Sequence, residues 1–566
     1  MVDKELLSRK ISNLSNYISE LKNAKDINWE KYTRDSRSRA FVERYLHLAI
    51  EEVFDIANHL VSFLRWREPT GYRDLFSVLH EQGIIPDSQL STFQNMASFR
   101  NMLVHHYEKI DDEVVFGLFK KRLSDFILYI KLIKEWTETK PKQNPVKITH
   151  LGAKNCVTGS CHLIQTQPDS SDNINILVDC GKAYGKDPEL PFYKFPVQPA
   201  NVDYLFLTHA HIDHIGRVPD IIDAGFKGEI ICTHATKALL TPMLHDAMSF
   251  SNRTDRQTAK IENKIDDLSW GFELYETFSL KKGITFKLSN AGHILGSCFI
   301  LFNFPVPDSK DFKVIFSGDL GCKDTPILPD PDPPDVCDLL VLESTYGDRN
   351  HTNRKDRVSA LKKLLQKALK DKGIVYIPAF SLGRTQELIY ELDRIKTKVP
   401  VFIDSPLGLK ITKIYSTLEE FWDKEAKTLK LKGDHPIDFK NLYAVQTYRD
   451  HKQLLNIKGP AIIVAGSGMC TGGRIVDHLK HGLEDPTNDI FFVGYQAKGT
   501  PGRKRIEKQT PAKARIHTLT GYSAHADQNT LVNWVRSMPK PPEQIHLVHG
   551  EPKARKALFR ALGLKV

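Results

Sequence analysis

Apolar residues recur at helical steps through the first quarter of the chain and in short strand-like runs after it. Over 38–66, Tyr45, Leu48, Ala49, Val53, Ile56, Ala57 and Leu60 fall three or four apart and line one face of a long helix. Pro69-Thr70-Gly71 closes that helix, and further helices are expected over about 72–82, 88–108 and 113–137. Residues 1–137 therefore read as an all-α bundle. The polar stretch 138–146, with prolines at 141 and 145, reads as a short stiff linker. From Lys147 on, apolar runs such as 202–207, 314–316, 339–342 and 375–377 are too short for helices and predict buried strands. Helical stretches alternate with them, so this part is expected to be α/β.

Length and composition narrow the class. A chain of 566 residues has room for several domains. No stretch approaches 18 apolar residues, and Met1-Val2-Asp3-Lys4-Glu5 is charged, so a cytoplasmic protein with no membrane partner is expected. The eight cysteines form no C-x-x-C pair, which predicts reduced, mostly buried thiols and no cysteine zinc site. A net charge of +10 leans only weakly toward an anionic partner such as nucleic acid.

The densest chemistry follows the 202–207 strand, in Thr208-His209-Ala210-His211-Ile212-Asp213-His214. Four imidazole or carboxylate ligands in six residues, on a turn after a strand, suit a hydrolytic metal site. The stretch resembles the signature of metallo-β-lactamase-fold hydrolases. Further strand ends carry Asp179 in Val178-Asp179-Cys180-Gly181, His293 in Gly292-His293-Ile294-Leu295-Gly296, Asp319 in Ser317-Gly318-Asp319, and His549 in Val548-His549-Gly550. Taken alone, a histidine between glycines is more often structural than a ligand; the order of these motifs favours the ligand reading for His293. The resemblance implies that His209, His211 and His293 hold one metal ion, that Asp213, His214 and His549 hold another, and that Asp319 bridges them. Asp179 would orient the metal loop, and His546 would be structural. Donors of N and O type without thiolate suit two Zn²⁺, with Mn²⁺ or Fe²⁺ also chemically compatible.

Between Asp319 and His549 the chain offers Leu342-Glu343-Ser344-Thr345, Pro378-Ala379-Phe380-Ser381-Leu382-Gly383-Arg384-Thr385, Gly466-Ser467-Gly468, Gly472-Gly473-Arg474 and Tyr522-Ser523-Ala524-His525. These stretches resemble the β-CASP nucleases. The resemblance implies a metallo-β-lactamase αββα sandwich over 147–347 and 523–566, interrupted by a β-CASP α/β domain over 348–522. It also implies RNA phosphodiester hydrolysis by metal-activated hydroxide, with Asp213 at the reacting centre, His525 protonating the departing oxygen and Glu343 positioning His525. Arg384, Gly466, Ser467, Gly468, Arg474 and Ser523 are the expected RNA-phosphate contacts, although such glycine turns also serve as plain α/β loops. Between 498 and 515, seven basic residues face one acid, Glu507, as a solvated loop or an RNA-guiding rim.

Within the bundle, Phe99-Arg100-Asn101-Met102-Leu103-Val104-His105-His106-Tyr107 reads by itself as a core helix with a polar end. Its R-x4-H-x-Y pattern, with Gly71-Tyr72-Arg73-Asp74 and Gly83-Ile84-Ile85-Pro86, resembles HEPN domains of the HepT toxin family. That resemblance implies a homodimer and a metal-independent ribonuclease using Arg100 and His105. It also implies a partner nucleotidyltransferase antitoxin that modifies Tyr107 with AMP. Other readings stay open: DNA as substrate, an ester hydrolase on the same fold, or a bundle that only dimerises. Endonuclease against exonuclease action is likewise open.

Overall fold

The computed structural model describes residues 4–64, 66–105, 111–139, 145–167, 172–306, 309–352, 354–494, 496–497 and 499–564. It forms two compact units, Met1–Gln143 and Asn144–Val566.

The first unit is all helix: α1 (Lys4–Asn23), α2 (Trp29–Arg34), α3 (Ser36–Phe63), α4 (Tyr72–Glu81), α5 (Asp87–His105), α6 (Asp112–Lys121) and α7 (Leu123–Thr139). Asp35 caps α3 by accepting from the backbone N–H of Arg37 and Ser38. Of the stripe foreseen on α3, Ala49, Val53, Ile56, Ala57 and Leu60 are buried, with Val42, Leu46, Ile50 and Phe54 beside them, while Tyr45 and Leu48 are half-buried. Tyr129 on α7 crosses to it and donates its hydroxyl to the Val53 carbonyl at 3.1 Å. One boundary differs from the sequence pattern. The single helix expected over 113–137 is broken at Arg122, although no Gly or Pro marks the break. The buried residues Val115, Phe119, Phe126, Tyr129 and Ile133 keep helical spacing straight through it, so the pattern carries no sign of the interruption. α5 is described as far as His105, and the helix end expected near 108 lies outside the described residues.

Among its described residues the second unit holds three six-stranded sheets. The first comprises β1 (Lys147–Gly152), β2 (Cys161–Gln165), β3 (Asn175–Val178), β4 (Tyr204–Phe206), β5 (Glu229–Thr233) and β6 (Ser269–Phe272), paired in that order. The second comprises β7 (Thr277–Ser279), β8 (Thr285–Asn290), β9 (Cys298–Phe304), β10 (Phe312–Phe316), β11 (Leu339–Glu343) and the last strand of the chain, Gln544–Val548, in the order last-β11-β10-β9-β8-β7. Facing side chains of the two sheets share one core, in which Phe206 meets Phe286 and Phe302 edge-on at 4.9 and 4.7 Å. Helices cover both outer faces: Val218–Asp223 and His234–Ser249 on one, Gln528–Arg536 and Pro552–Ala561 on the other. This is an αββα sandwich.

The third sheet is wholly parallel and comes from the stretch between β11 and the last strand. Its strands are β12 (Ile374–Pro378), β13 (Val401–Asp404), β14 (Leu442–Ala444), β15 (Ala461–Ala465), β16 (Asp489–Val493) and β17 (Arg515–Leu519); Gln544–Val548 is then β18. They pair in the order β14-β13-β15-β12-β16-β17. The central strands are buried along their whole length, as a sheet covered on both faces requires. Among the described residues no helix is long and apolar enough to cross a membrane. All eight cysteines are free and buried.

Candidate metal centre

Every residue expected at the centre stands at or beyond the C-terminal end of a strand. Asp179 follows β3, the 209–214 loop follows β4, His293 follows β8, Asp319 follows β10, Glu343 ends β11, and His549 follows β18. Asp179 and His549 adopt positive φ of 61° and 50°, a conformation costly for L residues and commonest at functional sites.

The structure brings seven donors into two adjoining groups. His209 Nε2 lies 3.1 Å from His211 Nδ1, which lies 3.1 Å from His293 Nε2. His214 Nε2 lies 3.1 Å from His549 Nε2, and Asp213 Oδ2 is 3.9 and 3.5 Å from those two nitrogens. Asp319 Oδ2 stands between the groups, 3.6 Å from His209, 3.7 Å from His293 and 3.4 Å from His214. Ligands about 2.0–2.1 Å from a tetrahedral ion lie roughly 3.3 Å from one another, so these spacings fit cations at both places. Asp319 Oδ1 is buried and accepts no hydrogen bond among the described residues, as expected of an oxygen meant for a cation. Burial holds His209 and His293 well below the ordinary imidazole range and His211 at about 4, so these rings are neutral, with lone pairs to give.

Outer contacts fix the rings. Asp179 lies 2.7 Å from His214 Nδ1 and accepts from the Thr208 backbone N–H at 2.9 Å, so it both orients the His214 ring and braces the loop. His209 Nδ1 lies 3.1 Å from the Thr208 hydroxyl, His549 Nδ1 lies 3.1 Å from that of Thr345, and His293 Nδ1 lies 3.2 Å from the Ala524 carbonyl. The sequence reading missed these two threonines and this carbonyl. His546 lies away from the donor groups and contacts His150 at 3.2 Å, while His150 meets buried His162 at 3.1 Å.

His525 hangs over the centre from the loop after β17. Its Nδ1 lies 3.5 Å from Glu343 Oε2 and 3.6 Å from Asp319 Oδ2. Burial disfavours the charged ring, but the Asp319 and Glu343 carboxylates outweigh it and raise the group to about 9. Glu343 is fully buried and locked by the backbone N–H of Leu320 at 2.7 Å and of Thr345 at 3.3 Å.

The expected phosphate contacts divide. Gly466, Ser467 and Gly468 follow β15 beside Phe380 and Ser381, which follow β12. Ser523 lies two residues before His525. The two arginines are turned inward. Arg474 donates to Asp404 at 2.6 Å, to the Val445 carbonyl at 2.9 Å and to the Gln446 carbonyl at 3.1 Å. Arg384 donates to Glu387 and to the Tyr522 carbonyl. Both guanidinium groups thus tie loops together. Much of the basic run is also neutralised: Arg503 pairs with Glu507, Lys513 with Glu484, and Arg515 with Asp489 and Asp371. Lys498 lies outside the described residues.

One buried cluster was not foreseen. Asp404 Oδ2 lies 2.6 Å from both His451 Nδ1 and His478 Nε2. These are direct hydrogen bonds, too short for ligands that share a cation, and Arg474 occupies the other carboxylate oxygen.

In the bundle, Arg100 donates to Glu51 at 2.8 Å and lies 4.4 Å above the Tyr72 ring; Glu51 also stands 3.7 Å from His47. The His105 side chain and all of Tyr107 lie outside the described residues.

Comparison with known proteins agrees with this geometry. Family models match for the metallo-beta-lactamase superfamily over 155–376, the Beta-Casp domain over 385–504, a Zn-dependent metallo-hydrolase RNA specificity domain over 510–565, and Ribonuclease HepT-like over 14–133. Ribonuclease TTHA0252 of Thermus thermophilus is 34% identical over 432 residues, covering 74% of this chain and 96% of that one. Transcription termination factor FttA of Methanocaldococcus jannaschii is 29% identical, covering 72% of this chain and 67% of its own. A solved chain of a tri-AMPylated Shewanella oneidensis HEPN toxin in complex with MNT antitoxin is 24% identical, with TM-score 0.22, over 24% of this chain and 99% of that one. The chain belongs to the β-CASP family of metallo-β-lactamase-fold, metal-dependent ribonucleases, with a HepT-like helical domain ahead of the nuclease.

Proposed function

We propose that the centre is dinuclear, with one ion on His209, His211 and His293, a second on Asp213, His214 and His549, and Asp319 shared. The N/O donor set fits Zn²⁺, and also Mn²⁺ or Fe²⁺. Bound ions of this kind supply an activated water nucleophile and offset charge developing on the phosphate. The observation that carries the reading is the convergence of seven donors at spacings a tetrahedral ion imposes.

The protein's own groups do the rest. His525, raised by its two carboxylate neighbours, carries a proton near neutral pH and passes it to the departing oxygen. Glu343 does not touch substrate; fixed by two backbone N–H groups, it aims the His525 ring. The ends of β12 and β15, including Gly466, Ser467 and Gly468, and the loop at Ser523 offer hydroxyls and backbone groups for RNA phosphates. Arg384 and Arg474 shape those loops from behind. On this reading 348–522 is the inserted β-CASP domain, lying between the two parts of the sandwich. The test is cleavage of matched RNA and DNA oligomers, with and without chelator. Metal-dependent cleavage of RNA is expected, and equal or preferential cleavage of DNA would overturn the substrate class.

A second reading concerns the bundle, because Arg100 is held in place by Glu51 and Tyr72 within a HepT-like domain. We propose that this unit pairs two copies of the chain and that Arg100 and His105 form a metal-independent RNA-cleaving site, with Tyr107 as the residue that a nucleotidyltransferase partner would modify.

A further inference from the structure

The metal centre and its loops account for a phosphate, but the bases on either side of that phosphate still need a place to go. Two exposed aromatic rings stand on turns whose neighbouring residues pack against the loops of the centre. Phe380, two residues beyond β12, is 45% exposed. Its ring lies along the backbone of Gly468, where a Cβ would come within 2.8 Å of the ring Cδ2. The residues after it run against the catalytic loops. A Cβ on Gly383 would lie 3.2 Å from Ile294, the neighbour of His293, and Arg384 donates to the carbonyl of Tyr522, three residues before His525. The turn that starts at Phe380 therefore runs on, within four residues, to the loops that carry His293 and His525.

Tyr184, 52% exposed, stands in the loop after β3. That loop lies along the other group. Gly181 packs directly on the Asp213 carbonyl, Lys182 donates its N–H to Ile212 at 3.1 Å, and Tyr184 donates its N–H to Thr158 at 2.9 Å.

Topology points to the same place. After β12 the chain crosses to β13, beyond β15; after β15 it crosses to β16, beyond β12. Neighbouring strands whose connections leave in opposite directions open a crevice at their C-terminal ends, where α/β sheets bind ligands. Phe380 and the Gly466–Gly468 turn line that crevice. Single exposed aromatics are ordinary elsewhere on a surface, and Tyr193 and Phe250 are more exposed than these two. What sets Phe380 and Tyr184 apart is that each sits on a turn packed against a loop carrying one of the donor groups.

We propose that Phe380 and Tyr184 are nucleobase-stacking residues, one on each side of the scissile phosphate, so that the substrate is gripped by two unstacked bases as well as by its backbone. This rests on the reading of the centre as an RNA-cleaving site. Stacking uses the π-face that every base has, so the grip tolerates sequence and depends on the presence of a base.

The experiment uses the metal-loaded full chain and short single-stranded RNAs in which one nucleotide at a time is abasic. For the unaltered chain, loss of the base at one position on each side of the cut should lower kcat/KM by about 5- to 150-fold, the scale of one base–aromatic stack. Phe380→Leu should lower kcat/KM for intact RNA by a similar factor, mainly through KM, and should make the abasic change at its own position nearly free. Tyr184→Leu should do the same at the other position. Phe380→Tyr and Tyr184→Phe keep a ring and should retain wild-type behaviour, including the response to abasic sites. RNA that is cut but with a flat abasic scan overturns the stacking proposal alone, and so do losses from variant and abasic site that simply multiply. The scan of the unaltered chain needs no variant to fold. Absence of any RNA cleavage by that chain overturns the nuclease reading itself, and this inference with it.

Discussion

Asp319 is the residue on which both donor groups converge, and its partners set what each substitution should do. His209, His214, His293 and His549 are each aimed by an outer contact, and on the proposed reading loss of a ligand and loss of the proton donor give different signatures. His293→Ala removes one donor from the first group and should lower metal content and reduce cleavage by at least ~10²-fold without unfolding the chain. Metal analysis and melting curves beside the activity assay check this; a folded variant with full metal and full rate would remove His293 from the site. His525→Ala should instead keep its metal and lose ~10²–10⁴-fold in rate, because the proposed role of the ring is to protonate the departing oxygen. Depleted metal in that variant would make His525 a ligand. At this scale much was legible: an H-x-H-x-D-H run places four donors by local spacing alone. What lay hidden was contact over distance. Thr345 meets His549 204 positions away and Ala524 meets His293 231 positions away, and no local pattern announces such pairs. The inward turn of Arg384 and Arg474 was hidden for the same reason.

At the scale of elements, the hydrophobic pattern placed α3 and α4 closely, but it ran straight through the α6–α7 break. It also could not order the third sheet, because six buried parallel strands look alike in sequence. That sheet's helices tie into the loop that carries His525 through a buried network. Glu391, on the helix Arg384–Ile395, accepts from Arg357 at 2.8 Å and from the Tyr522 hydroxyl, three residues before His525. Burial and the nearby Glu387 carboxylate push Glu391 up to about 7 despite these donors. A carboxyl raised in the folded state contributes stability that is complete below its unfolded value, near 4.5, and is lost as pH rises through about 7. A shift of this size corresponds to about 3 kcal/mol at a buried site. Glu391→Gln cannot ionise, so its melting temperature should fall less than that of the unaltered chain between about pH 5 and pH 7.5. Parallel melting profiles for the two proteins would show that Glu391 is ionised throughout that range.

At the scale of the whole molecule, two units with separate cores carry two sets of nuclease-like residues, and chemistry distinguishes them. Hydrolysis at a metal centre needs its ions and delivers 5′-phosphate ends. A site built from Arg100 and His105 needs none, and attack by the RNA 2′-hydroxyl leaves a 2′,3′-cyclic phosphate. Arg100 already has its geometry fixed by Glu51 and the Tyr72 ring, at the cost of sharing its charge with a carboxylate. The expected outcome is weak cleavage that survives excess chelator in an Asp213→Ala background, carries cyclic-phosphate ends and disappears in Arg100→Ala. Glu51→Gln frees the guanidinium from its carboxylate partner and should raise that residual cleavage severalfold. If Arg100→Ala leaves as much chelator-resistant cleavage as the intact motif, the bundle is a pairing module. Sedimentation of residues 147–566 beside the full chain then decides its role: loss of dimer without the bundle assigns the pairing to its helices, and an unchanged dimer assigns it to the nuclease unit.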